Sequence, residues 1–298
     1  MLYNGELLRM YPYTDKKGNI TWLAPGEKNV HGYLPPKEWY FVRKSMDYLA
    51  ESIIMNNEER AATLISKIYD YQHIRGEKAI PSQTAIYAEL AYNIINTQRW
   101  PIMLYLTVAL LAVIASTLRL NDRKRKILLT ISTSLAGIML LQTTIVIGLR
   151  WYISGHLPIS NGYETMQFLA WSVLLITLVL RSRFSIILQY GPLLAAFALL
   201  VAMITDSNPQ LTQLMPVLQS PLLSVHVMVI MFSYALFGLM ALIGIQGIIA
   251  HIRQDTASES KLAALSQFLL YPAVALIAVG IFIGAIWANV SWGKYWSW

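Results

Sequence analysis

Cysteine is absent from this 298-residue chain, which excludes internal disulfides, zinc–thiolate sites and cysteine-ligated clusters. Any redox chemistry must therefore act on something brought in. Charge is scarce as well: Asp, Glu, Lys and Arg make up 13% of the residues, against roughly 25% in soluble domains. With 56% hydrophobic residues beside so little charge, most of the chain has to lie in lipid. Residues 1–30 lack the apolar run that a signal peptide requires. Neither a solenoid-type repeat nor a low-complexity tract occurs.

The charge that is present is unevenly spread. Residues 1–100 hold 12 Lys/Arg against 11 Asp/Glu, while 101–298 hold 11 against 5. Six of the net +7 charges thus belong to the apolar part, where they encode topology rather than affinity for nucleic acid, and no nucleic-acid partner is expected. About 20 apolar residues cross a hydrocarbon core, and six stretches meet that need. They run near Ile102 to Leu120, Ile127 to Leu149, Thr165 to Leu180, Ser185 to Ile204, Leu222 to Ala250 and Leu262 to Val290. The third is short; the last two are long enough to tilt or to extend beyond the bilayer.

Orientation follows from the loops between these spans. Arg119, Arg123, Lys124, Arg125, Lys126, Arg181, Arg183, Arg253 and Lys261 fall on one side, and Arg150 and Lys294 on the other. Cationic flanks resist translocation, so the first set is cytoplasmic. The N-terminal hundred residues, the 150–163 loop, the 205–221 loop and the C-terminal tail are then extracytoplasmic. An outside domain of that size needs a signal peptide or an upstream span, so the expectation is a fragment, or a Met1 that is not the native start.

Within residues 1–100, Tyr3 to Tyr33 reads as turns or short strands, with turn signals at Lys16-Lys17-Gly18-Asn19 and Pro25-Gly26. From Glu38 the pattern turns helical through Met46, Leu49, Ile53, Leu64, Ile65 and Ile68, and Pro81-Ser82 opens a second amphipathic stretch. The fold class expected is an all-α polytopic membrane protein: about six transmembrane helices (101–298) with an N-terminal, mostly helical extracytoplasmic domain (1–100). No catalytic signature appears, and no catalytic residue is assigned.

The strongest local signal is Trp292-Gly293-Lys294-Tyr295-Trp296-Ser297-Trp298, preceded by Trp287. One reading is an interfacial aromatic belt anchoring a helix end at the headgroups. The other is a flat aromatic platform for a large planar ligand, with Gly293 allowing close approach of the backbone. His226 is the second element, about one turn into the fifth span at its extracytoplasmic end. It is either a hydrogen-bonded interfacial residue or a ligand for a metal ion, a role in which the partner of the other ring nitrogen sets its basicity. Third is Pro158-Ile159-Ser160-Asn161-Gly162-Tyr163-Glu164, which as structure is a capping box with Ser160 or Asn161 as cap and Glu164 bonding back. Such a cap can also aim Asn161 and Tyr163 at a ligand. His156 is external and able to line a site; Arg150 and Asp206 share that side, where Arg150 offers a cation for carboxylates. His251 reads as a basic flank, and His31 and His73 as surface residues.

Trp292-Gly293-x-x-Trp296-x-Trp298 resembles the tryptophan-rich signature of a haem-handling superfamily that includes the CcsA/ResC cytochrome c synthetases and the CcmC haem proteins. In that family the signature continues with Asp, at the point where this sequence stops. His226-Val227, with Ser233-Tyr234-Ala235 following, is similar to the CcsA segment bearing the first external haem-ligating histidine, although a Trp often stands there near the position of Leu222. The 158–164 segment resembles the family's Pro-x-Ser-Asn-x-Tyr-Glu element. Residues 1–120 faintly resemble the end of the CcsB/ResB part that precedes CcsA in fused synthetases.

This resemblance implies a bacterial inner-membrane protein of cytochrome c assembly. It implies that His226 is an axial ligand, that Trp292, Gly293, Trp296 and Trp298 form the platform, and that Asn161, Tyr163 and Glu164 contribute to cofactor binding. The cargo implied is haem b, presented as a substrate for thioether attachment to Cys-x-x-Cys-His of apocytochrome c. A CcsB/ResB-like part and thiol-reducing proteins are the implied partners. The chain would be a component of a cytochrome c synthetase, not expected to act alone as a fragment, with its second axial ligand beyond Trp298. The alternative is a CcmC-like haem carrier without ligation activity. An unrelated transporter fits less well, because the spans are almost free of ionisable groups.

Overall fold

The computed structural model describes residues 9–15, 18, 20–27, 34–77, 79–96, 99–117, 121–205, 218 and 220–295. Among the described residues there are two short strands and nine helices, divided between two compact units, Met1–Ile86 and Tyr87–Trp298.

The first unit begins with an antiparallel hairpin of β1 (Tyr11–Thr14) and β2 (Ile20–Leu23), Tyr11 facing Leu23 and Thr14 facing Ile20. Two helices follow, α1 (Pro36–Ile54) and α2 (Glu58–Gly76). Proline at the start of α1 costs no hydrogen bond there, and the Asn57 side chain caps α2 by accepting from the Arg60 N–H at 3.0 Å. The apolar faces meet over Tyr11, Leu23, Val42 and Ile68. The Tyr11 hydroxyl is paired with Ser45 at 2.5 Å, and its ring stands edge-on to Phe41 and Tyr71. Burial pushes the Tyr71 phenol up to about 12.

Helix α3 (Gln83–Ile95) leads into the second unit, which continues with α4 (Arg99–Thr117), α5 (Asp122–Ser154), α6 (Gly162–Leu180), α7 (Ile187–Thr205), α8 (Pro221–Ile252) and α9 (Thr256–Trp292). Helices α5 to α9 are each long and apolar enough to cross a membrane, and α3 with α4, bent by 49° at their junction, qualify together as a sixth span. The chain is an all-α polytopic membrane protein. Helix α9, with 37 residues, is about 55 Å long at 1.5 Å per residue, well beyond the roughly 30 Å of hydrocarbon, as the length of its apolar run leads one to expect.

One core joins all six hydrophobic elements through Tyr105, Met139, Leu174, Leu199, Leu239 and Leu265. Lipid offers no hydrophobic drive between helices, so close packing at small residues has to hold them. Three glycines serve this: Gly191 of α7 lies against Thr177, Gly238 of α8 against Leu194, and Gly280 of α9 against Ile230. Ile138, Leu141, Phe197, Ile248 and Phe282 stay exposed on the outside, as a lipid-facing surface requires. Helices α8 and α9 form an antiparallel hairpin turned by Gln254 at φ 57° and restarted by Asp255, which accepts from the Ser258 N–H at 3.1 Å. Bonds from Ser258 hold the Asp255 carboxyl below its ordinary value.

Candidate functional site

The chain between α5 and α6 folds back through a left-handed Gly155, φ 70°, whose N–H bonds the Trp151 carbonyl at 3.0 Å. Helix α6 then opens on a reciprocal cap. The Asn161 side chain accepts from the Glu164 N–H at 2.9 Å, while Glu164 Oε2 accepts from the Ser160 N–H at 2.8 Å and its hydroxyl at 2.7 Å. The other carboxylate oxygen, Oε1, accepts from Arg150 Nε at 2.6 Å. Arg150 also donates from Nη1 to the Tyr92 hydroxyl at 2.8 Å, with its guanidinium 5.8 Å from the Tyr92 ring centroid and 5.3 Å from that of Tyr163.

The network extends through Asn96, which donates to the hydroxyls of Tyr92 (2.7 Å) and Tyr163 (2.8 Å), and Gln167, which donates to Tyr163 at 2.9 Å. Arg150 and Glu164 are 1% and 2% exposed, so each charge is tolerable only because the other is there. Arg150, the external cation suggested for a ligand's carboxylates, is instead committed to Glu164. Tyr163 and Glu164 are turned inward, whereas Ile159, Ser160, Asn161 and Gly162 border open space.

That space is a cleft of about 990 Å³ between the α5–α6 connection and the first turns of α8. Trp151, His156, Ile159, Asn161, Ser224 and Val227 are among its walls. His156 Nδ1 lies 3.1 Å from the Leu157 carbonyl, which only accepts, so Nδ1 carries the proton.

His226 is not part of this lining. Its ring turns toward α9, where Nδ1 lies 2.7 Å from the Gly280 carbonyl oxygen. A side chain at Gly284 would collide with it: a Cβ there would fall 2.6 Å from Cε1 and 2.7 Å from Nδ1. One turn further along α9, the indole of Trp287 packs edge-on against Trp292, centroids 4.8 Å apart and planes at 67°. The Trp287 indole nitrogen is shielded from solvent and meets no acceptor among the described residues. Trp292 is the last residue of α9 and is 58% exposed. Gly293 follows at φ 71°, its N–H bonded to the Asn289 carbonyl at 2.8 Å.

Residues 159–298, from just before the α6 cap through all of α6 to α9, match a protein family described as Cytochrome C assembly protein. Along its whole length the chain is 30% identical to Protein NrfI of Wolinella succinogenes, of which it spans 34%. Over 54% of its length it is 34% identical to the cytochrome c biogenesis protein CcsA of Chlamydomonas reinhardtii, covering 50% of that protein. Over 63% of its length it is 30% identical to CcsA of Synechococcus sp. (strain CC9311), covering 74% of it. The chain belongs to the CcsA-type cytochrome c biogenesis family. It spans about a third of NrfI and half of the Chlamydomonas CcsA.

In this CcsA-type chain, the residues singled out from sequence fall into two groups at the same end of the bundle. Asn161, Tyr163 and Glu164 belong to the α6 cap and its ion pair, whereas His226, Trp292 and Gly293 belong to the α8–α9 hairpin. Trp296, Trp298, His31 and Asp206 lie outside the described residues. His251 meets Glu259 at 3.1 Å on an exposed surface, at the opposite end of the α8–α9 hairpin from His226, and His73 bonds the Tyr69 carbonyl at 2.9 Å within the first unit. Sequence reasoning missed Tyr92, Asn96 and Gln167, which carry no motif, and it missed the Gly280/Gly284 pair. That pair has a legible signal, two glycines four apart in an apolar helix.

Proposed function

We propose that this chain acts in cytochrome c biogenesis by holding haem at the extracytoplasmic face of the bacterial inner membrane and presenting it to apocytochrome c. His226 is an axial ligand of the iron. Trp292, Gly293, Trp296 and Trp298 form the aromatic platform. Asn161 edges the neighbouring cleft, and Tyr163 and Glu164 brace it from behind through Arg150. Haem b is here cargo and substrate: each thiol of Cys-x-x-Cys-His adds across a vinyl group, sulfur to one carbon and hydrogen to the other, with no net electron transfer. The protein contributes binding and orientation. A CcsB/ResB-like part and a thiol-reducing pathway complete the system.

The observation that carries this reading is the hydrogen bond at His226. A carbonyl can only accept, so Nδ1 is the protonated nitrogen, and a neutral ring then has its lone pair on Nε2, the form that ligates iron. Sidedness supports it, because helix alternation brings the α6 start, the α8 start and the α9 end to one face, opposite the side to which the sequence assigns nine Lys/Arg. The cysteine-free sequence fits a division of labour in which the substrate supplies the thiols.

The test is to co-express the intact protein and its partner part with a Cys-x-x-Cys-His apocytochrome and to measure covalent haem. The expected result is covalent cytochrome with the parent protein and loss of nearly all of it with His226→Ala. A haem-loaded protein that yields no covalent cytochrome favours the CcmC-like carrier.

A further inference from the structure

We infer that Gly280 and Gly284 form a seat that fixes the orientation and tautomer of His226, the Gly280 carbonyl holding the proton on Nδ1 and the missing side chain at Gly284 admitting the ring. The inference rests on the reading that His226 ligates iron, and it assigns the positioning residues for that ligand.

The geometry separates the two glycines by task. His226 and Ile230 lie one turn apart on α8, and Gly284 and Gly280 lie one turn apart on the antiparallel α9. Ile230 sits over Gly280, where a Cβ would come within 2.6 Å of its Cδ1, so that position serves helix packing. Gly284 lies under the imidazole itself, with a virtual Cβ 2.6 Å from Cε1, 2.7 Å from Nδ1 and 3.2 Å from Nε2. A methyl group at Gly284 therefore has to displace the ring. Displacement breaks the 2.7 Å bond to Gly280, because the carbonyl is part of the α9 backbone and cannot follow. The hairpin is stitched a second time at Ser233, which donates to the Ala273 carbonyl at 2.9 Å, so the register beneath His226 is held independently of His226.

Simple packing of small residues has no preference for which imidazole nitrogen bears the proton. A seat does. Histidines that ligate metals commonly donate their second N–H to a carbonyl or carboxylate, which sets ring orientation and raises ligand basicity; losing that partner typically costs about 10- to 100-fold in metal affinity. Gly280 supplies this partner from the main chain, beyond the reach of side-chain substitution, so Gly284 is the position through which it can be tested.

The experiment uses the intact protein with ¹⁵N-labelled histidine, the His226 signals being assigned by their loss in His226→Gln. The ring nitrogens of the unsubstituted protein are expected to show the proton on Nδ1. Gly284→Ala is expected to lose that preference, to retain haem about 10- to 100-fold more weakly in a haemin titration, and to shift the haem spectrum. A proton on Nε2 in the parent protein overturns the seat without any variant having to fold. So do wild-type nitrogen signals and haem spectrum in Gly284→Ala. An Nδ1 proton in a protein whose haem spectrum is indifferent to His226→Gly supports the seat and overturns the ligand reading, so the two failures are distinct.

Discussion

Removing the Glu164 carboxylate takes the salt-bridge partner from a guanidinium that is 1% exposed. In Glu164→Ala, Arg150 keeps the Tyr92 hydroxyl and two aromatic faces but loses the Glu164 carboxylate it bonds at 2.6 Å. Breaking a buried pair from one side costs about 3–5 kcal/mol, because the remaining charge keeps its desolvation penalty without the attraction that offset it. The two bonds from Ser160 add little, since Ser160 is exposed and finds water instead. A loss of that size is about a fifth or more of an ordinary domain's stability. Removing both charges, as Arg150→Met with Glu164→Leu, is expected to recover most of it and to end within about 1–2 kcal/mol of the parent. The assay compares the parent, Glu164→Ala and the double variant by equilibrium unfolding of the intact protein in detergent micelles. Glu164→Ala within about 0.5 kcal/mol of the parent, or a double variant as unstable as Glu164→Ala alone, refutes the reasoning.

Three further outcomes follow from the same geometry. Gly293→Ala forces a side chain into the left-handed region at φ 71°, so the turn after Trp292 should weaken by about 1–2 kcal/mol and haem retention should fall with it, checked by unfolding and haem content together. Trp287→Phe removes a shielded N–H with no acceptor among the described residues, so the haem-free protein should be neutral or up to about 1 kcal/mol more stable, while haem retention drops; a destabilised haem-free protein would show that the N–H is already bonded. Tyr71 titrates near 12 rather than 10, and a raised pKa favours the neutral phenol in the folded state. Its contribution to stability should be complete below pH 10 and lost as pH rises from 10 toward 12, followed by ultraviolet titration of the phenolate beside unfolding.

Much of the architecture is legible in sequence because lipid sets a blunt requirement, about 20 apolar residues between charged loops, and the spans from α5 to α9 meet it within a few residues. The difference at α5 has a plain cause. Asp122 to Lys126 are polar and fall outside an apolar window, yet Arg and Lys are good helix formers and Asp122 suits the first turn, so the helix starts five residues before Ile127. Caps are legible too, because Asn161 and Glu164 act across three residues. The rest of the α6 site is not, since Tyr92 and Asn96 lie 58 and 67 residues from the partners they bond, Arg150 and Tyr163, and no local pattern encodes such pairs. Gly293 is the clearest change of meaning. Read from sequence it permits close approach of the backbone to a ligand; its φ of 71° and the empty space around its missing Cβ make it the residue that stops α9. The partner of His226 was out of reach for another reason: a backbone carbonyl leaves no mark in side-chain spacing.

The claim that His226 binds haem iron is tested most directly by the haem spectrum of the intact protein carrying His226→Gly, recorded with and without imidazole. The account predicts haem loss in the variant and its recovery on adding imidazole, which fills the space left between α8 and the Gly280/Gly284 seat. Unchanged haem content and an unchanged spectrum in the variant would contradict it, as would haem loss that imidazole does not restore.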